Sequence, residues 1–129
     1  MAKSPLNRGS IIVAEDDAEM RGYIKLVLEG IGFSVFPASD GHGCLRILAS
    51  VTPSAILLDI GMPGLDGYET CRRIRNMRPD LSCPIIFVTA RRSMEDVHMA
   101  KQVGGDHFLL KPITPEKLVS RLLHFMGRD

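Results

Sequence analysis

Asp59 closes an apolar run, Ala55-Ile56-Leu57-Leu58, and opens the loop Asp59-Ile60-Gly61-Met62-Pro63-Gly64-Leu65-Asp66-Gly67. A strand followed at once by a Pro/Gly-rich loop hides its own backbone and leaves such a carboxylate at the rim. Two further segments have the same form. Glu15-Asp16-Asp17 follow Ile11-Ile12-Val13-Ala14, and Lys111-Pro112 follow Phe108-Leu109-Leu110. Thr89 closes a fourth apolar run that begins at Ile85. Three acids, a lysine and a threonine at strand ends describe a magnesium-assisted phosphoryl-acceptor site.

The acids in the first turn decide which ligand such a rim can hold. A dinucleotide-binding turn would carry glycines there, so that backbone N–H groups and a helix N-terminus could meet phosphate. Glu15-Asp16-Asp17 would repel bare phosphate and attract a hard divalent cation. Magnesium takes oxygen ligands, usually one or two carboxylates completed by waters and a phosphate. Glu15, Asp16 and Asp59 supply that charge, while Asp17 reads as compensation for the dipole of the following helix. Each residue alone has a blander reading: a capping acid, a turn aspartate, a snorkelling lysine at 111, a β-branched strand residue at 89, a core aromatic at 108. Position lifts Asp59 above its own, because an unpaired carboxylate after a buried strand is costly and wants a cation. A carboxylate nucleophile can form an aspartyl phosphate. Lys111 would then be a point charge for phosphoryl oxygens, and the Thr89 hydroxyl a donor to one of them. Ala90 leaves room for the incoming group. Pro112 is well placed for a cis peptide bond in a tight turn.

Five short apolar runs alternate with amphipathic stretches and must position these residues. The predicted strands are Ser10–Ala14, Ser34–Pro37, Ala55–Asp59, Ile85–Thr89 and His107–Leu110. They are too short for helices and too continuously apolar for a sheet with one wet face, which predicts a parallel sheet buried on both sides. Met20, Ile24, Val27, Leu28 and Ile31 repeat at helical spacing until Gly30 and Gly32 stop them. A second helix runs from Asp40 as N-cap to Leu48. A third begins at Asp66, with Glu69 as capping-box partner, and ends near Met77. A fourth begins at Ser93, with Asp96 placed similarly, and ends at Gly104-Gly105. The last has Thr114 as N-cap and Pro115 at its first position. Strict alternation predicts an α/β fold, a doubly wound five-stranded sheet with right-handed crossovers and helices on both faces. Ligands on such sheets bind at the carboxyl ends of the strands.

A length of 129 residues suits one domain. We expect a flexible lead-in over residues 1–9, a folded domain over 10–126 and a short tail over 127–129, with no second domain. Net charge is +1, which gives no reason to expect nucleic acid or an anionic membrane as partner. No apolar run approaches the roughly 20 residues that span a bilayer. Cys44, Cys71 and Cys83 are odd in number and far apart, without zinc-ligand spacing, and read as free thiols in a reducing cytoplasm. The four histidines form no triad or metal spacing. Arg72, Arg73, Arg75 and Arg78 read as a solvated basic helix face, with a docking surface as second reading.

Four segments in order carry a resemblance: Ile11-Ile12-Val13-Ala14-Glu15-Asp16-Asp17, Leu57 through Gly67, Val88-Thr89-Ala90, and Gly105 through Pro112. Over roughly residues 10 to 126 the chain resembles the receiver domain of two-component response regulators. The resemblance implies a flavodoxin-like sheet of strand order 2-1-3-4-5. It implies that Asp59 accepts a phosphoryl group from the phosphohistidine of a sensor kinase or histidine phosphotransfer protein. Glu15, Asp16, Asp59 and the Gly61 backbone carbonyl would hold Mg2+. Thr89 and Lys111 would bind the phosphoryl group, and Thr89 and Phe108 would form the switch that reshapes the helix 4–strand 5–helix 5 face for a downstream output protein or domain. Gly61 and Arg91 stand where the family tunes phosphate lifetime. Gly61 has no side chain to orient water and Arg91 could shield the acyl phosphate, so slow autodephosphorylation is expected. Glu15 stands where the family often has Asp, and Phe108 where it often has Tyr. The protein would be no enzyme beyond its own phosphorylation and dephosphorylation, and a monomer or weak phosphorylation-dependent dimer.

Two other readings compete. A magnesium phosphohydrolase with an aspartyl nucleophile commonly needs a second acid two residues on, and that position is Gly61. A pseudo-receiver used only for docking would not need the acids, Thr89 and Lys111 intact.

Overall fold

The computed structural model describes residues 7–90 and 93–128. Arg91, Asp129 and residues 1–6 of the expected lead-in lie outside them. Strands β1 (Ser10–Ala14), β2 (Ser34–Ala38), β3 (Ala55–Asp59), β4 (Ile85–Thr89) and β5 (His107–Leu110) alternate with helices α1 (Ala18–Gly30), α2 (Gly41–Leu48), α3 (Gly67–Met77), α4 (Met94–Val103) and α5 (Pro115–Phe125). The strands form one sheet of order β2-β1-β3-β4-β5, and every pairing is parallel. The expected strands match these bounds except that β2 runs one residue further. Pro37 is tolerated in β2 because an edge strand has one side free of ladder bonds, so a missing N–H there breaks nothing.

Alternation along the central strands sends side chains to two cores. Ile12, Ala14, Ile56, Leu58, Ile85 and Phe87 face one core, with Cys44 and Leu48 of α2, Cys71 and Ile74 of α3, and Ala100 and Val103 of α4. Ile11, Val13, Leu57, Ile86 and Val88 face the other, with Ile24 and Leu28 of α1 and Leu118 and Leu122 of α5. Burial on both faces is what made β1, β3 and β4 read as continuous apolar runs.

Helix starts follow their caps. Asp17, Asp40, Asp66, Ser93 and Thr114 each accept from backbone N–H groups of the first turn. Ser93 and Asp96 form a reciprocal capping box. The box expected at α3 is only half made. Asp66 accepts from the Glu69 N–H, but the Glu69 carboxylate turns to Arg72 and Arg73, at 3.8 and 3.3 Å. Gly104 closes α4 with φ +93°, a left-handed conformation that side chains resist.

The basic face of α3 is only half a solvated surface. Arg72 and Arg73 are about half exposed, whereas Arg75 and Arg78 keep 24% and 26% of their side-chain surface. Arg75 donates to the carbonyls of Gly104, Leu81 and Cys83 and to Asp106 Oδ2. Arg78 donates to the Leu48 carbonyl and to Asp80. These two arginines therefore tie loops together at the amino-terminal rim of the sheet.

Candidate functional site

At the opposite rim, β1 and β3 are neighbours, with Ala14 beside Leu58. The residues that leave these strands therefore emerge side by side. Glu15 continues β1 by hydrogen bonding its N–H to the Ala38 carbonyl at 3.0 Å. Asp17 caps α1 and so fixes the turn between them. Asp59 ends β3 half-buried, and the Gly61 N–H donates to its Oδ1 at 3.3 Å. Gly67 sits hard against this strand end: a Cβ there would lie 2.5 Å from the Asp59 carbonyl oxygen. Glycine thus lets α3 start directly behind the loop that follows Asp59.

The carboxylates of Glu15, Asp16 and Asp59 come together with oxygens all within 4.8 Å of one another. Glu15 is buried and Asp16 exposed. Glu15 Oε2 accepts from the Asp17 N–H at 3.1 Å. Its Oε1 is buried and accepts no hydrogen bond among the described residues, although Lys111 Nζ lies 3.3 Å away. Burial first, and the adjoining Asp59 carboxyl second, push the Glu15 pKa up to about 7, while the Asp17 N–H and the Lys111 ammonium act the other way. A buried oxygen without a hydrogen bond, inside a set of three hard oxygen donors, is the environment that a divalent cation satisfies. The residues fit magnesium.

Lys111 follows β5, its N–H bonded to the Thr89 carbonyl at 2.8 Å, and its bond to Pro112 is cis. Thr89 is buried at the end of β4, next to β5 in register with Leu110. Phe108 is half-buried, its ring centroid 5.8 Å from that of Phe87, which in turn meets Tyr68 edge-on at 5.1 Å. Gly61 is exposed in the loop after Asp59. Glu15, Asp16 and Asp59 are thus gathered in one cluster with Lys111 paired to Glu15, and Thr89 closes the strand beside Lys111.

Three supporting residues escaped the sequence reading. Arg21 of α1 donates through Nη1 to the Glu15 carbonyl at 2.8 Å. Tyr23 donates through its hydroxyl to the Ile113 carbonyl at 2.9 Å. Lys117 donates through Nζ to the Leu110 and Pro112 carbonyls. All three act on backbone oxygens of the site loops, and such contacts leave no signature in residue spacing.

Residues 11–123 match the family model described as the response regulator receiver domain. The chain belongs to this receiver family. The receiver is 38% identical over 118 residues to Response regulator MprA of Mycolicibacterium vanbaalenii, an alignment covering 92% of this chain and 50% of that protein. It is 34% identical over 122 residues to the DNA-binding response regulator MtrA of Mycobacterium tuberculosis, covering 95% of this chain and 52% of that protein. The receiver therefore spans about half the length of these curated relatives. Among solved structures it is similar to the chemotaxis protein CheY4 of Vibrio cholerae, with a TM-score of 0.87 and 27% identity over 90% of this chain and 97% of that one. Among the described residues no helix of the receiver is long and apolar enough to cross a membrane.

Proposed function

We propose that this receiver accepts a phosphoryl group on Asp59 from the phosphohistidine of a sensor kinase or phosphotransfer protein. The observation that carries the reading is the convergence of three carboxylates within 4.8 Å beside Lys111, at the carboxyl ends of neighbouring strands. In the transfer an Asp59 carboxylate oxygen attacks phosphorus. The new O–P bond forms as the N–P bond of the donor breaks, and the departing imidazole nitrogen takes up a proton. Glu15, Asp16, Asp59 and the Gly61 carbonyl would hold Mg2+, which when bound neutralises the attacking carboxylate and the phosphoryl oxygens. Lys111, released from Glu15 as that charge is neutralised, binds a phosphoryl oxygen as a point charge. The Thr89 hydroxyl binds another.

Thr89 moving toward the phosphoryl group would open space for Phe108 to rotate inward against Phe87. This shifts the population between two packings of the α4–β5–α5 face. A cleft of about 270 Å³ on this face, lined in part by Val97, Lys101, Phe108, Arg121 and Phe125, offers the output partner its contact. Gly61 and Arg91 set a slow dephosphorylation. Hydrolysis of external substrates is disfavoured because Gly61 offers no acid or base.

The test is intact mass spectrometry after incubation with acetyl phosphate and Mg2+. A single addition of about one phosphoryl mass is expected, absent in Asp59→Asn. Rapid release of phosphate from many equivalents of donor would favour the phosphohydrolase. No addition from any donor would favour docking alone.

A further inference from the structure

Lys117 occupies an electrostatically poor position. It lies in the first turn of α5, where its own N–H bonds to the capping Thr114 hydroxyl at 3.1 Å. A cation there faces the positive end of the helix dipole. The side chain is nevertheless half-buried and folded back, its ammonium 2.6 Å from the Leu110 carbonyl oxygen and 3.4 Å from that of Pro112. Those two carbonyls flank Lys111. The same segment is tied on its other sides by the Lys111 N–H to Thr89 and by the Tyr23 hydroxyl to Ile113.

We infer that Lys117 is the positioning residue for Lys111, holding the backbone on both sides of it so that its ammonium is aimed into the acid cluster. The inference rests on the receiver reading above, which assigns phosphoryl binding to Lys111. Lys111 has a long, flexible side chain whose reach into the site depends on where its backbone is fixed. It ends 3.3 Å from Glu15 while keeping only 26% of its surface exposed. Displacement of such a group by about 1 Å is enough to lose much of its contribution. One lysine thus orients another without touching the phosphoryl group itself.

The experiment compares the wild type with Lys117→Met, Lys117→Arg and Lys111→Ala. Beryllofluoride affinity is followed by 19F NMR at saturating Mg2+, the acetyl phosphate dependence of phosphorylation is measured, and Mg2+ affinity is measured alone by calorimetry. Lys117→Met is expected to weaken beryllofluoride about 10-fold, the effect of losing one charge-assisted contact. It should raise the half-saturating acetyl phosphate to match, and leave Mg2+ affinity within about 2-fold. Lys117→Arg, which keeps the donors, should recover most of the loss. Should Lys117→Met not remain folded, Lys117→Gln replaces it with the same expectation. Unchanged beryllofluoride affinity in the Lys117 variant, beside a weakened Lys111→Ala, overturns the inference and leaves the receiver reading intact. Equal losses in Met and Arg variants that track lowered thermal stability assign Lys117 a purely structural role and also overturn it. A wild type that takes up no beryllofluoride sinks the phosphoryl-acceptor reading itself.

Discussion

At the amino-terminal rim of the sheet, Asp106 Oδ2 receives the Ile85 N–H at 2.8 Å and Arg75 Nη2 at 2.9 Å. At the carboxyl-terminal rim, Glu15 Oε1 is buried without a hydrogen bond among the described residues, and the Glu15 carboxylate clusters with those of Asp16 and Asp59. Both are acids beside strand ends of one sheet. The first is held by a guanidinium whose other donors go to three carbonyls, so its charge holds loops together. The second sits in an excess of negative charge that Lys111 only partly offsets. Satisfied charges at one rim stabilise the fold, and unsatisfied charges at the other leave interaction energy for a ligand.

The comparison breaks first at Arg75. Arg75→Ala leaves three carbonyls without their side-chain donor and Asp106 with only the Ile85 N–H, and should destabilise the receiver by about 2–4 kcal/mol in urea unfolding. Phosphorylation of Asp59 should persist under native conditions; a loss below about 0.5 kcal/mol would remove the contrast. Glu15→Gln should do the opposite. Removing a buried charge from the cluster should stabilise the metal-free protein at pH 8 by about 1–2 kcal/mol and weaken Mg2+ binding. A net destabilisation there would mean that the acids are already balanced.

The pH dependence sharpens the same point with a smaller effect. The Glu15 carboxyl is raised from its ordinary 4.5 to about 7 in the folded state. Its contribution to stability is therefore fully present below about 4.5 and is lost as pH rises through about 7. Mg2+ competes with that proton. Thermal stabilisation by Mg2+ should thus be larger at pH 8 than at pH 5.5, by several degrees. An equal shift at both values would count against Glu15 as a ligand.

The carboxyl-terminal rim was far more legible in the sequence than the amino-terminal one. Burial of both sheet faces writes β1, β3 and β4 as apolar runs, and the residue ending each run must emerge at the carboxyl rim. Glu15, Asp59, Thr89 and Lys111 are placed by that rule before any contact is known. Asp17 read only as a charge for the helix dipole and proved to be the α1 cap, whereas caps were legible at Asp40, Asp66, Ser93 and Thr114, because a short polar side chain before an apolar periodicity has few other uses. Arg75, Arg78, Arg21 and Lys117 were not. Their long side chains reach backbone carbonyls up to 30 residues away, as Arg78 does at Leu48, and any exposed helix face offers the same residue types. The pairing of Glu69 with Arg72 and Arg73 instead of the α3 cap was hidden for a related reason. Two nearby arginines outcompete one N–H for a carboxylate, and spacing alone admits both outcomes.

The most direct measurement is a crystal structure of the receiver grown with Mg2+ and beryllofluoride. The account predicts beryllofluoride on an Asp59 carboxylate oxygen, a metal ion bound by Glu15, Asp16 and Asp59, and the Lys111 ammonium turned from Glu15 to a fluorine. An empty cluster, with Lys111 still on Glu15 at saturating ligand, would contradict it.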